Sequence, residues 1–425
     1  MGFFISFLNT FNMKPYREKH NRLSSYCPWA FFVGKHNEGI VLLKSGALMR
    51  VYSFVCPDLG SASVESINAV SYFFNEAVKR LGNGWCAQFE SQRAVTTDYP
   101  GSRWSNIAGY LIDRRRQELF TGEETHFVNR YFLALTCRLK SDIYAKTNSL
   151  LYKKDDKEAG EREGYYNLEI CKKEIGEFRD ETDACISHLI GRVFIEPLNN
   201  DDCATYLHSS VSANFHPVAT PKRPMLFDHY ITDQDLEIGT TLKLGDTYIP
   251  IVAVRDFPAE TYPAMLSALN GSHIEYRWSI RWIARGKQEA AKDIEKYQKR
   301  FYGSRKSWGQ ALAESVGNFE SNREDPAALA FEKDTNTAKV ELASDLYSFE
   351  YYTANIMVWD TNYAVAIEKA RYIVGLVNSS GFNAKIETAN AFNAFLSMQP
   401  GNAYANVRRP VISSGNLSHI IPLSS

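Results

Sequence analysis

The run from His273 to Ile283 constrains the fold of this chain more than any other segment. Ile274, Tyr276, Trp278, Ile280 and Trp282 fall on one side of an extended backbone, while Glu275, Arg277, Ser279 and Arg281 fall on the other. Alternation sustained over this length identifies a β-strand. The aromatic side must be core. The charged side is expected to meet water or a partner.

Similar patterning recurs along the chain. Residues 40–55 alternate around Lys44-Ser45-Gly46 and read as a hairpin. A helix is predicted from Ser63 to Leu81, with Val64, Ile67, Val70, Phe74 and Val78 on one face. Trp85, Ala87 and Phe89 alternate as a strand, Ala108–Phe120 reads as a helix, and Phe132–Leu139 reads as another strand. Residues 153–164 have almost no apolar content and read as a solvated loop or the exposed start of a helix over Tyr165–Ile190. Later helices are expected over Lys287–Val316, Pro326–Leu346, Thr361–Val377 (with Asp360 as N-cap) and Ala391–Phe395, and strands over Phe349–Trp359 and from Gly381 to Glu387.

This order predicts an α+β protein with two mixed-sheet lobes, each a split β-α-β sandwich with helices packed on one face. The expected division is a first lobe over 13–213, a second over 214–398 and a connector over 399–425. Residues 1–12, apolar but too short to span a bilayer, read as an extension lying on a membrane or partner, or as a mis-assigned start ahead of Met13.

Charge excludes one broad class. Lys and Arg number 48 against 49 Asp and Glu, so no global basic surface exists to drive nucleic-acid binding. The seven cysteines form no C-x-x-C pair and read as small buried hydrophobes in a reducing compartment. Aromatic residues reach 13%, which suits broad cores and protein interfaces.

Familiar catalytic patterns are absent. Gly34-Lys35 and Gly286-Lys287 are followed by His36 and Gln288, where a phosphate loop needs Ser or Thr. No H-E-x-x-H or G-x-S-x-G occurs. Asp233, Asp235 and Glu237 share one strand side, but the rest of a calcium loop does not follow, so a solvated face is expected. Arg114, Arg115 and Arg116 point in different directions on a helix. Lys292–Lys306 interleaves cations with Tyr297, Phe301 and Tyr302, which leaves single-strand nucleic-acid binding as one alternative function. An independent enzyme is the other, and a deep polar cleft lined by several of His229, Asp233, Asp235 and Arg255 is the sign that would mark it.

A dispersed series of short motifs carries a resemblance. It comprises Arg22-Leu23-Ser24 to Tyr26, Pro28, Trp29 and Ala30; Leu43 to Ala47; Pro57-Asp58-Leu59; Leu81-Gly82 to Trp85, with Glu90 and Arg93; and Gln399-Pro400-Gly401-Asn402 with Asn406 and Arg408-Arg409-Pro410. In order and spacing the chain resembles the N-terminal domain of the TrbE branch of the CagE/TrbE/VirB family, ATPases of type IV secretion and conjugative transfer. The family pattern begins near Met13.

The resemblance implies a docking and assembly domain that supports pilus assembly and DNA or protein export. It implies a cytoplasmic position, peripheral at the bacterial inner membrane. The implied partners are the system's inner-membrane subunits and other ATPases, with homo-oligomers in the intact protein. ATP and Mg belong, on this resemblance, to a RecA-like motor that follows the connector, so no cofactor is expected in this chain. Tyr26, Pro28, Trp29, Pro57, Asp58, Arg93, Pro400, Gly401, Asn402, Arg408 and Arg409 are the family-motif positions expected at an interface.

Overall fold

The computed structural model describes residues 23–34, 37–58, 61–96, 99–122, 126–138, 160–223, 225–258, 260–286, 346–406 and 410–423. The helices expected over Lys287–Val316 and Pro326–Leu346, the basic segment Lys292–Lys306, and Arg408 and Arg409 lie outside the described residues.

The elements run α1 (Leu23–Tyr26), β1 (Trp29–Val33), β2 (Ile40–Leu43), β3 (Leu48–Val55), α2 (Val64–Val78), β4 (Trp85–Thr96), α3 (Ile107–Gly122), β5 (His126–Cys137), α4 (Gly160–Ser187), β6 (Phe194–Pro197) and α5 (Asn200–Ser209). They continue β7 (Leu236–Glu237), β8 (Leu242–Leu244), β9 (Thr247–Ile249), β10 (Ile251–Asp256), β11 (Tyr276–Ile283), β12 (Phe349–Val358), α6 (Tyr363–Ser379), β13 (Asn383–Ile386), α7 (Ala391–Met398), β14 (Val411–Ser413) and α8 (Ser414–Ile420).

The α+β class holds, and its two halves share one sheet. The strand order is β1-β2-β3-β5-β4-β11-β12-β10-β13, with β6 beside β3 and β14 beside β12. Each of these named strand pairs is antiparallel. The halves join where β4 pairs with β11, in a register running from Tyr276↔Arg93 to Ile283↔Cys86. Residues on both sides of position 214 therefore build a single layer. Residues 399–423 belong to the same body: β14 pairs β12, and the hydroxyls of Ser71 on α2 and Ser418 on α8 lie 2.9 Å apart.

Helices cover both faces rather than one, because each side of the central strands needs cover. On the first side α2, α6 and α8 bury Phe54, Phe74, Phe89, Trp278, Trp282, Tyr352 and Ile373. On the second, α5, α7 and the small β7-β8-β9 sheet bury Trp29, Met49, Phe132, Tyr206, Met357 and Phe395. α5 escaped the sequence reading because its run, NDDCATYLHS, is short and polar. Its start is nonetheless well specified, since the Asn199 side chain accepts from Asp202 N–H.

The Asp360 cap is a correction. Asn362 caps α6, its side chain accepting from the N–H groups of Ala364 and Val365. Asp360 is occupied elsewhere: it accepts from Lys369 Nζ at 2.8 Å and from Asn362 N–H.

Candidate functional site

The charged side of β11 does not meet water. Arg277 and Arg281 are each about 1% exposed, as are Gln88 and Glu90 on the neighbouring β4 and Asn355 on β12. This overturns the expectation of a solvated or partner-facing surface. The physical reason is that a second layer supplies enough oxygen acceptors to replace water.

Two groups of contacts build the layer. Arg277 grips Glu90 bidentately: Nε donates to Oε1, and Nη2 donates to Oε2 at 2.7 Å. Its Nη1 reaches the Ser210 carbonyl at 2.8 Å, and Nη2 also reaches the Met398 carbonyl at 2.7 Å. Tyr206 O–H and Gln92 Nε2 donate to the same carboxylate, at 3.1 and 2.7 Å. Burial works against the Arg277 charge, but the Glu90 carboxylate outweighs it and holds the guanidinium pKa above its usual value. Burial, followed by the Glu90 charge, pushes the Tyr206 phenol well up, so it stays a donor.

The second group holds residues 399–406. Arg281 Nη1 donates to the carbonyls of Asn402 at 2.9 Å and Ala405 at 2.6 Å, and Nη2 donates to Asn406 at 3.3 Å. Gln88 Nε2 donates to the carbonyls of Ser397 and Gln399, while its Oε1 accepts from Gly401 N–H. Trp29, fully buried on β1, donates its indole N–H to the Pro400 carbonyl at 2.7 Å. Gly401 sits at φ +83°, and an added Cβ would lie 2.9 Å from Leu43 Cδ1. A side chain is thus opposed by the backbone conformation and would have to push the Leu43 tip aside.

The motif residues therefore divide. Trp29, Pro400, Gly401 and Asn402 meet in this clamp, and Tyr26 supports it by packing edge-on against Phe392 of α7, with ring centroids 5.0 Å apart. The Pro28 carbonyl accepts from Lys44 N–H and closes the adjacent hairpin. Pro57 and Asp58 form the turn before α2, where the Asp58 carbonyl accepts from Ser61 and Ala62. Arg93 lies elsewhere on β4: Nε donates to the Ser272 carbonyl at 2.9 Å, and its guanidinium covers the Phe127 ring at 4.4 Å. Sequence reasoning passed over Gln88, Arg277 and Arg281 as clamp residues. Their only signal was polar side chains on strands whose other side is apolar.

The cleft expected of an independent enzyme is not found around its named residues. A cavity of about 260 Å³ is lined by Arg255, Thr353, Asn355, Glu387, Asn406 and Pro410, among others. It includes Arg255 but not His229, Asp233 or Asp235. Arg255 donates to Glu387 at 3.3 Å, and Asp233 accepts from Asn214. No cluster of potential metal ligands occurs among the described residues. The seven cysteines are free, and burial pushes the thiols of Cys27, Cys56, Cys86 and Cys185 up to about 12, which makes them inert. Gly34 lies between β1 and β2 of a hairpin rather than between a strand and a helix.

The continuous antiparallel sheet and its hold on the 399–406 segment define one packed α+β body. The chain belongs to the VirB4/TrbE family: the model of "Type IV secretion system ATPase VirB4/TrbE, N-terminal domain" matches residues 39–142, which span β2 to β5. The conjugal transfer protein TrbE of Rhizobium radiobacter is 31% identical over 436 residues, an alignment covering 97% of this chain and 50% of that protein. In Sinorhizobium fredii two relatives carry successive portions of a probable conjugal transfer protein TrbE. The first portion is 33% identical over 129 residues, covering 30% of this chain and 85% of that protein. The second is 33% identical over 228 residues, covering 53% of this chain and 33% of that protein. The chain thus spans about half the length of the Rhizobium radiobacter relative.

Proposed function

We propose that this chain is the docking and assembly region of a type IV secretion ATPase of conjugal transfer. The observation that carries the reading is the clamp: Arg281, Gln88 and Trp29 fix the motif segment 399–406 onto the central strands. A segment held this firmly gives whatever follows it in longer relatives a rigid base. In this reading the region seats the ATPase among the inner-membrane subunits and neighbouring ATPase copies of its system, and so supports pilus assembly and DNA or protein export. ATP and Mg would act outside the residues described above.

The test is co-purification of the full chain with the small inner-membrane subunit of a conjugative transfer system. Retention above that of an unrelated protein of similar charge is expected. Background retention overturns the proposal. Purified chain should also show negligible ATP turnover, and steady hydrolysis surviving repurification would refute that aspect.

A further inference from the structure

His208 lies in the last turn of α5 and is about 1% exposed. Its Nδ1 is 2.7 Å from the Ile231 carbonyl oxygen, and its Nε2 is 3.0 Å from the Asn214 carbonyl oxygen. A carbonyl oxygen can only accept. A neutral imidazole has one N–H, so its other nitrogen would turn a lone pair towards an oxygen lone pair. Only the imidazolium donates to both.

Both carbonyls belong to backbone that is held in place. Ala213 N–H donates to Gln234 at 2.9 Å, Asn214 N–H to Ser212 Oγ at 3.0 Å and Val218 N–H to Thr205 Oγ1 at 2.9 Å. Phe215 packs on Trp359 with ring centroids 5.3 Å apart. Ile231 is itself buried, and its N–H donates to the Phe227 carbonyl at 3.0 Å. The clash of lone pairs in the neutral form is therefore not relieved by turning a loose carbonyl aside.

The surrounding charges leave the proton to these two oxygens. The C-terminal turn of a helix favours a cation. No described carboxylate hydrogen-bonds the ring. Asp233 accepts from the Asn214 side chain, and at the other end of α5 Asp201 accepts from Thr220 and Asp202 from Asn199. Arg277 reaches the nearby Ser210 carbonyl, but its charge is matched by Glu90. The exposed His216 ring stands edge-on with its centroid 4.4 Å away, and the Tyr230 ring packs on Phe227.

We propose that His208 is a proton-operated clasp. As imidazolium it fastens α5 to the chain at Asn214 and at Ile231, where the backbone passes from the first half towards the β7-β8-β9 sheet. Loss of the proton leaves one carbonyl without its donor and loosens that crossing. Phe227 lies in the same crossing and stands edge-on to Phe32 of β1 at 4.8 Å, so the effect reaches the β1 end of the sheet. The folded chain holds the proton, so the clasp is closed at low pH and opens as pH rises. The docking function proposed above does not depend on it.

The first measurement is nitrogen NMR of the full chain labelled at its histidine rings, with His208→Gln identifying the signals. Both His208 nitrogens should carry protons at about pH 7, where an ordinary exposed histidine is mostly neutral. One protonated and one bare nitrogen at that pH overturns the inference. Should the variant not fold, the ring is assigned by its proximity to the Ile231 and Asn214 backbone, and the wild-type spectrum decides alone. The second measurement is hydrogen exchange over residues 213–218, expressed as protection relative to the free peptide. Protection should fall on the order of tenfold as pH rises through and beyond the histidine range, about 5–8, because one charge-assisted bond is lost. In His208→Gln, whose amide cannot serve both carbonyls as a cation, protection should be low and flat with pH. Flat protection in wild type, or an unchanged fall in the variant, overturns the clasp.

Discussion

Replacing Arg277 with Met isolates the energetic centre of the sheet. The substitution keeps an unbranched side chain in place but removes every donor. Glu90, about 1% exposed, is left as a buried carboxylate with only Gln92 and Tyr206 as side-chain donors. Stranding one partner of a buried pair costs about 3–5 kcal/mol. The Ser210 and Met398 carbonyls also lose a donor, which adds about 1 kcal/mol or more. A total near 5 kcal/mol is a large share of the roughly 5–15 kcal/mol that holds a domain folded. Urea unfolding followed by tryptophan fluorescence is a direct assay, because Trp278 and Trp282 lie on the same strand. Adding Glu90→Leu removes the stranded charge, so the double variant should recover about 2 kcal/mol relative to Arg277→Met alone. A single variant within about 1 kcal/mol of wild type refutes the reasoning. So does a double variant as unstable as the two singles summed.

Gly401→Ala should cost about 1–2 kcal/mol by the same urea assay, since φ +83° opposes a Cβ and the Leu43 tip must give way. An unchanged midpoint would show that the clamp yields freely. Arg281→Met should expose residues 399–406 to limited proteolysis before global unfolding, and a wild-type cleavage pattern would count against the clamp. His419 on α8 has its pKa lowered by burial, opposed by a hydrogen bond to the Thr261 backbone. The neutral ring is the folded form, so its contribution is fully present above the unfolded pKa of about 6.5 and is lost as pH falls below it. Stability of wild type should drop through that window more than that of His419→Gln, and parallel curves would refute the assignment.

Much of the fold was legible because it is local. The alternation in 273–283, the Ser63 start of α2 and the Gly46 turn each depend on neighbours a few residues away, and each appears where the sequence places it. The motif residues Trp29 and Gly401 were legible as special positions, though not as a pair. What the polar side of β11 touches was not legible. Its charges looked solvated because nothing near them in sequence could satisfy them. Glu90 is 187 positions from Arg277, and Trp29 is 371 from Pro400. Periodicity states which side of a strand is apolar, and so the sequence alone determined strands such as β11, helices such as α2 and the existence of a core. Only tertiary structure could decide that the other side is buried too. That outcome depends on whether distant segments bring enough carbonyl and carboxylate oxygens to replace the water each arginine gives up.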